Sequence, residues 1–135
     1  MVRTTGITET ALYVDDLQRA ITFYRELLGV EVIRQDERFS ALRLNDQQVL
    51  LLFRRGASLS PMPVGSSFVP PHDGAGPMHI CFGIEEEDFS LWEEKLERSG
   101  IPLESEVRWP TGARSLYFRD PEGHAVELAT PGLWQ

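Results

Sequence analysis

The chain has 135 residues, of which 41% are hydrophobic and 25% are charged, a composition typical of a globular protein. This length can bury a substantial core, so residues 1–135 are expected to form a single domain. Thirteen Lys and Arg against 21 Asp and Glu give a formal net charge of −8 without a basic stripe, which argues against nucleic acid or an anionic membrane as partner.

The sequence also indicates a cytoplasmic protein. Its one cysteine, Cys81, cannot form an internal disulfide, which fits a reducing compartment. No apolar run approaches the ~20 residues of a membrane-spanning helix. Residues 1–10 lack the apolar segment of a secretory signal. We therefore expect no association with a membrane.

The first half of the chain predicts a strand, a helix and three further strands. The segment "TETALYV" (8–14) alternates apolar and polar positions, as a half-buried strand does. In the helix that follows, Asp15 is expected to be the N-cap, with Gln18 reaching back as in a capping box, and Gly29 is expected to end the helix. The three strands are predicted in "VEVIRQ", "FSALRLND" and "QVLLLF". Module one therefore covers about residues 7–53.

The second half repeats this order in module two, about residues 78–130. "MHICFGI" is expected to be a strand, an acidic segment precedes a helix that Gly100 ends, and three strands follow in "PLESEVRW", "ARSLYFRD" and "HAVELAT". In this register Glu9 corresponds to His79, and Leu51 corresponds to Glu127. One such module cannot cover its own sheet, so the repeat predicts two sheets that share a concavity.

Residues 54–77 between the modules are rich in Gly, Pro and Ser and show no periodicity. They are expected to be the linker that joins the modules, serving either as a spacer or as a mobile lid over a site. His72 within this linker is expected either to lie on the surface or to close over the concavity.

Strand parity separates two sets of side chains. An apolar set is expected to pack beneath the helices: Leu12, Val14, Leu42, Leu44, Leu50, Leu52, Ile80, Phe82, Leu116, Phe118, Val126 and Leu128. The opposite set is expected to line the concavity: Glu9, Ala11, Tyr13, Phe39, Ala41, Arg43, Val49, Leu51, Phe53, His79, Cys81, Ser115, Tyr117, Arg119 and Glu127. A mainly apolar wall with a few polar groups is typical of a small-molecule site.

Glu127 stands out in this second set, because a carboxylate inside the apolar run "AVELA" needs a partner. We expect it to meet Glu9 and His79. Two carboxylates and an imidazole would repel or shift one another's pKa values unless a cation lies among them. Oxygen and nitrogen donors without a thiolate suit one divalent ion of Mn, Fe, Zn, Ni, Co or Mg. The alternative is that ion pairs and hydrogen bonds satisfy each residue without a metal.

These residues resemble the vicinal oxygen chelate superfamily, which is the glyoxalase / bleomycin-resistance / extradiol-dioxygenase fold. The resemblance is carried by "ETALYVDDLQRAITFYRELLG", "GPMHICFGI" and "SLYFRDPEGHAVELA", and it covers nearly the whole chain. It implies an α+β fold in which tandem βαβββ modules form an eight-stranded open cup. It also implies frequent homodimers and one divalent metal at the cup floor.

The resemblance assigns ligand positions as well. The first-strand ligand, commonly His or Gln, falls on Glu9, and the other two fall on His79 and Glu127. The fourth ligand of glyoxalase I enzymes falls on Leu51, which cannot coordinate a metal, so a four-ligand glyoxalase I site is not expected.

Substrate positions of the fosfomycin thiol-transferases match in part. Ser115 and Tyr117 fall on substrate contacts of those enzymes. Their basic phosphonate-binding residue falls on Val107, and a first-strand Thr falls on Ala11, so fosfomycin is only a minor option. The full set of expected substrate contacts is Tyr13, Phe39, Arg43, Trp109, Ser115 and Tyr117. Arg43 is expected either to bind a substrate carboxylate or to pair with an acidic side chain.

Four functions remain open at this point. In a metal-dependent lyase or isomerase of a small oxygenated metabolite, Glu9 would be the general base and Tyr117 a hydrogen-bond donor to an oxyanion. An extradiol-type dioxygenase would need iron, and Glu9 in place of His counts against it. The others are a metal-free ligand- or drug-sequestering protein of the bleomycin-resistance type and a thiol transferase of the fosfomycin type.

Overall fold

A computed structural model describes all 135 residues, which divide into two units, residues 1–76 and 77–135. The first unit contains β1 (Glu9–Val14), α1 (Leu17–Leu28), β2 (Glu31–Gln35), β3 (Phe39–Arg43), β4 (Val49–Arg54), β5 (Met62–Val64) and β6 (Ser67–Val69). The second contains β7 (His79–Gly83), a 3-10 helix (Glu86–Asp88), α2 (Phe89–Arg98), β8 (Ser105–Arg108), β9 (Arg114–Arg119) and β10 (Ala125–Ala129). Neither α-helix has the length and apolar character needed to span a membrane.

The two modules have the same sheet topology. The strand order is β1-β4-β3-β2 in module one and β7-β10-β9-β8 in module two. In each sheet the first strand runs parallel to its neighbour, and the other pairs are antiparallel. The predicted α+β fold with tandem βαβββ modules is confirmed, and each module supplies four strands.

The register within each sheet confirms the predicted correspondence between the modules. Ala11 pairs with Leu51 in module one, and Cys81 pairs with Glu127 in module two. Leu51 and Glu127 therefore hold the same place in their own sheets. Glu9 and His79, each two residues earlier on the first strand, correspond as well.

The apolar face of each sheet is buried, as predicted. Nine of its side chains are at most 2% exposed: Leu12, Val14, Leu42, Leu50, Leu52, Leu116, Phe118, Val126 and Leu128. The helices add Ile21, Tyr24, Phe89 and Leu96, which are also at most 2% exposed. Leu44, Ile80 and Phe82 are only half-buried. Because alternate residues point to opposite faces, this core fixes where the polar residues of the same strands lie.

Helix α1 is capped by Asp16 and not by Asp15. Asp16 has extended backbone angles, and its Oδ1 accepts a hydrogen bond from the Arg19 N–H at 3.1 Å. The predicted capping box of Asp15 and Gln18 is therefore wrong. The side chain of Asp15 instead lies 3.0 Å from the guanidinium of Arg55. Either of the two adjacent aspartates has a side chain that can cap a helix, so the sequence alone does not distinguish them. The backbone angles do.

Asp16→Ala is expected to lower the free energy of unfolding by about 1 kcal/mol, because the Arg19 N–H loses its acceptor. Asp15→Ala removes an ion pair whose carboxylate is 75% exposed, so a loss of no more than about 0.5 kcal/mol is expected. Urea unfolding of the two variants measures the difference. Equal losses would contradict the cap assignment.

The helix ends agree with the prediction. Gly29 is the C-cap of α1, with a φ of 64°. Gly100 follows α2 with a φ of 70°. Glycine adopts this left-handed conformation without the steric cost that a Cβ brings.

The segment 54–77 contains regular structure that the sequence did not predict. Strands β5 and β6 form an antiparallel hairpin, with Gly65 at its turn. Strands of three residues are too short to show an alternating pattern. The hairpin is therefore an addition to the predicted linker at residues 62–69.

The last part of this segment is held against module one. Arg55 donates hydrogen bonds to the carbonyl oxygens of Gly74 and Gly76 at 3.2 and 3.3 Å. Gly74 lies so close to Tyr13 that a Cβ at this position would be 2.5 Å from the ring. A glycine is therefore needed where the chain passes over Tyr13.

Candidate functional site

The buried carboxylate of Glu127 is partnered by His79 within module two. These residues lie on the neighbouring parallel strands β10 and β7. His79 Nε2 is 3.2 Å from Glu127 Oε1. The side chain of His79 is 54% exposed and that of Glu127 only 5%, so the imidazole is open to solvent while the carboxylate is buried.

The backbone orients the imidazole of His79. Its Nδ1 lies 3.0 Å from the carbonyl oxygen of Ala125. A carbonyl can only accept, so Nδ1 carries a proton, and in the neutral ring Nε2 presents a lone pair to Glu127. Metal-binding histidines are commonly held in this way, with the remote ring N–H on a carbonyl or carboxylate. The two facing electron-rich atoms need either a proton or a cation between them.

The spacing of these atoms fits a divalent ion. Metal bonds to nitrogen and oxygen are about 2.0–2.2 Å long, so two ligands on one ion stand roughly 3.0–3.4 Å apart at angles of about 90–109°. The 3.2 Å between His79 Nε2 and Glu127 Oε1 lies within this range. An imidazole nitrogen and a carboxylate oxygen suit the transition metals predicted above.

The second oxygen of Glu127 is engaged inside the protein. Glu127 Oε2 accepts a hydrogen bond of 2.6 Å from the hydroxyl of Ser115, which is fully buried. The Ser115 oxygen accepts a hydrogen bond of 2.8 Å from the indole N–H of Trp109. Both residues were predicted to contact substrate. In the structure the indole of Trp109 is bonded to Ser115, and Ser115 is bonded to Glu127. A direct contact of either residue with substrate stays a prediction.

Tyr117 lies directly opposite Glu127 in the β9–β10 register. Its ring is stacked against the ring of His79 at a centroid distance of 6.3 Å. Burial raises the pKa of Tyr117, and the hydrogen bond to Glu127 and the charge of Glu127 raise it further. Tyr117 therefore keeps its proton at neutral pH. This fits the predicted role of a hydrogen-bond donor, which stays a prediction.

Cys81 pairs with Glu127 across β7 and β10 and is exposed as a residue. Burial of its thiol, followed by the charge of Glu127 and a hydrogen bond to Glu127, raises the pKa of Cys81 to about 12. The thiolate is the nucleophilic form of cysteine. In the metal-free protein Cys81 is therefore a poor nucleophile.

This pKa makes the alkylation of Cys81 testable. With a pKa of about 12, only about 10⁻⁴ of the thiol is ionised at pH 8. The rate of alkylation by iodoacetamide in the metal-free protein is expected to rise about tenfold per pH unit from pH 8 to 11. Glu127→Gln removes the neighbouring charge and is expected to react faster at pH 8. A plateau near pH 9, as for an unperturbed thiol with a pKa of about 8.5, would contradict this.

Module one contains a cluster of aromatic side chains. Tyr13 and Phe39 both stack on Phe53, at centroid distances of 5.8 and 5.4 Å. His72 packs edge-on against Phe53 at 4.5 Å, and its Nδ1 is 2.6 Å from the hydroxyl of Tyr13. His72 therefore belongs to this aromatic cluster and is half-buried. The substrate contacts of Tyr13 and Phe39 stay predictions.

Two arginines lie on strand β3 or next to it. The guanidinium of Arg38 lies over the rings of Phe39 and Phe53 at 4.8 and 5.6 Å. The alternation of side chains along β3 did not identify Arg38 as a residue of this face, because Arg38 precedes the strand. Arg43, expected to bind a substrate carboxylate or to pair with an acid, is exposed and lies 3.8 Å from Glu31. Its role in substrate binding stays a prediction.

Comparison with known proteins identifies the family. Residues 6–128 match the model described as the Glyoxalase/Bleomycin resistance protein/Dioxygenase superfamily. The chain belongs to this superfamily. The resemblance drawn from the sequence is thus confirmed over almost the whole chain.

Similar members of the superfamily include two curated relatives. A glutathione transferase FosA from Serratia marcescens is 30% identical over 95% of this chain and 82% of the relative. A metallothiol transferase FosB from Bacillus licheniformis is 29% identical over 96% of this chain and 77% of the relative. Among solved structures, a lactoylglutathione lyase from Agrobacterium tumefaciens has a TM-score of 0.87 and 34% identity, with 97% of both chains covered.

Of the three expected metal ligands, the structure brings only His79 and Glu127 together. Glu9 lies on β1 in module one, and its side chain is exposed. No group of three or more His, Cys, Asp and Glu side chains in the chain is placed to hold a metal ion. The candidate metal site is therefore the pair of His79 and Glu127. The ligand role of Glu9 stays a prediction.

Proposed function

We propose that the protein is a divalent-metal-dependent lyase or isomerase that acts on a small oxygenated substrate. The observation that carries this proposal is the 3.2 Å approach of His79 Nε2 to Glu127 Oε1, with His79 Nδ1 held by the backbone. The likeness to the lactoylglutathione lyase structure supports the reaction class, because the identity of 34% extends over 97% of both chains.

The proposed site assigns a role to each polar side chain. His79, Glu127 and Glu9 would hold the ion, which when bound would act as a Lewis acid towards two neighbouring oxygens of the substrate. Glu9, either bound to the ion or released from it, would also accept a proton as general base. Tyr117 donates a hydrogen bond to the oxygen on which negative charge develops.

Substrate contacts and assembly are further parts of this proposal. Tyr13 and Phe39 offer half-buried aromatic surface to an apolar part of the substrate, and Arg43 offers two parallel N–H donors to a carboxylate. We further propose that the protein works as a homodimer in the cytoplasm.

Thiol transfer is the second candidate. It is favoured by the FosA and FosB relatives, which match 95% and 96% of this chain. The position of the basic phosphonate-binding residue is held by Val107, which pairs with Ser115 across β8 and β9 and has no charge to offer. Fosfomycin is therefore the minor option for the electrophile, and an uncharged epoxide is the other.

Metal content and two assays test these candidates. Untagged protein is analysed for bound metal by mass spectrometry and is then reconstituted with Mn²⁺, Fe²⁺, Zn²⁺, Ni²⁺, Co²⁺ or Mg²⁺. One assay follows isomerisation of a hemithioacetal of glutathione with a 2-oxoaldehyde, and the other follows glutathione consumption with fosfomycin or with an uncharged epoxide. Isomerisation supports the first candidate, and glutathione consumption with either fosfomycin or the uncharged epoxide supports the second and identifies its electrophile. Failure to bind any of these ions would contradict both and favour a metal-free binding protein.

A further inference from the structure

We propose that Trp109 is a positioning residue that acts through Ser115 to keep Glu127 a one-oxygen ligand. This role rests on the metal site proposed above. Trp109 does not touch the carboxylate, and its effect passes through the Ser115 hydroxyl, to which its indole donates at 2.8 Å.

The direction of this hydrogen-bond chain is fixed by chemistry. An indole N–H can only donate, so the Ser115 oxygen must be the acceptor. The single proton of Ser115 is then directed to Glu127 Oε2, 2.6 Å away. Ser115 is 0% exposed, so water does not compete for this proton.

As a result, the two oxygens of Glu127 have different partners. Oε2 is held by Ser115, while Oε1 faces His79 Nε2 at 3.2 Å. A carboxylate with both oxygens free can turn and bind a cation through both of them. Holding Oε2 keeps Glu127 in the one-oxygen mode, which leaves more coordination positions open for a substrate.

The turn between β8 and β9 holds Trp109 itself in place. The Trp109 N–H donates to the carbonyl of Ala113 at 2.8 Å, and the Gly112 N–H donates to the carbonyl of Trp109 at 2.9 Å. Gly112 has a φ of 92°, which favours glycine. The turn therefore brings the indole back to Ser115, six residues further along the chain.

Trp109→Phe tests this role, because it keeps an aromatic ring and removes the N–H. Ser115→Ala removes the proton donor, and Ser115→Thr keeps a hydroxyl at this position. Trp92→Phe is the matched control, since Trp92 lies on α2 and its ring contacts Lys95. Mn²⁺ affinity is measured by electron paramagnetic resonance and the visible absorption spectrum is recorded with Co²⁺ bound, while circular dichroism reports the melting temperature.

Trp109→Phe and Ser115→Ala are expected to change the Mn²⁺ affinity about tenfold or more, because Glu127 Oε2 is no longer held and Glu127 can turn towards the ion. Both are expected to change the Co²⁺ spectrum, with Ser115→Thr restoring it and Trp92→Phe leaving it unchanged. A wild-type spectrum and affinity in folded Trp109→Phe and Ser115→Ala would overturn the inference. A wild-type protein that binds neither ion would overturn the proposed function itself, so the two failures are distinguishable.

Discussion

Glu127→Ala and His79→Ala are each expected to weaken Mn²⁺ binding by more than about 100-fold. Each removes one of the two donors that face each other at 3.2 Å, and loss of an outer partner alone costs about 10- to 100-fold. Titration calorimetry on the metal-free proteins measures the affinities. Glu106→Gln is the matched control, because Glu106 is an exposed carboxylate on β8 of the same sheet.

Loss of Mn²⁺ binding in these variants must be distinguished from loss of the fold. Glu127 retains Ser115 as a donor when His79 is removed, so His79→Ala is expected to keep a nearly unchanged melting temperature. Wild-type metal affinity in either folded variant would remove that residue from the metal site. A loss of equal size in Glu106→Gln would show a non-specific effect of charge.

Phe118→Ala is expected to lower the free energy of unfolding by about 3–5 kcal/mol. The Phe118 ring is 1% exposed on β9, and its removal leaves a cavity in the core of module two. Such a loss is a large share of the 5–15 kcal/mol that usually stabilises a domain. Urea unfolding, followed by circular dichroism, measures it.

Phe68→Ala provides the control for this effect. Phe68 lies on β6 and is 59% exposed, so its truncation is expected to change stability by no more than about 0.5 kcal/mol. A loss below about 1 kcal/mol at Phe118, or equal losses at the two positions, would contradict the assignment of the core. Because Phe118 pairs with Val126, next to Glu127, its loss is also expected to weaken metal binding.

Alternation along the strands explains why most of the fold could be predicted. In β9, Leu116 and Phe118 point into the core, while Ser115 and Tyr117 point to the opposite face. The β5–β6 hairpin escaped prediction because its strands have three residues each. Such short strands cannot establish a period.

The candidate site was predictable only where it follows from strand register. Matching the two repeats aligned His79 with Glu9, and adjacent strands then placed His79 near Glu127. The hydrogen bonds of Trp109 and Ser115 depend on the geometry of the β8–β9 turn, which residue spacing does not specify. The contacts of His72 likewise depend on how the segment before β7 folds back onto module one.

The most direct test of the metal site is anomalous X-ray diffraction from crystals grown with Mn²⁺. The metal-site proposal predicts an anomalous peak within bonding distance of both His79 Nε2 and Glu127 Oε1. A third ligand at Glu9 would appear in the same map. Well-ordered His79 and Glu127 side chains in crystals grown at saturating Mn²⁺, with no anomalous peak between them, would contradict the proposal.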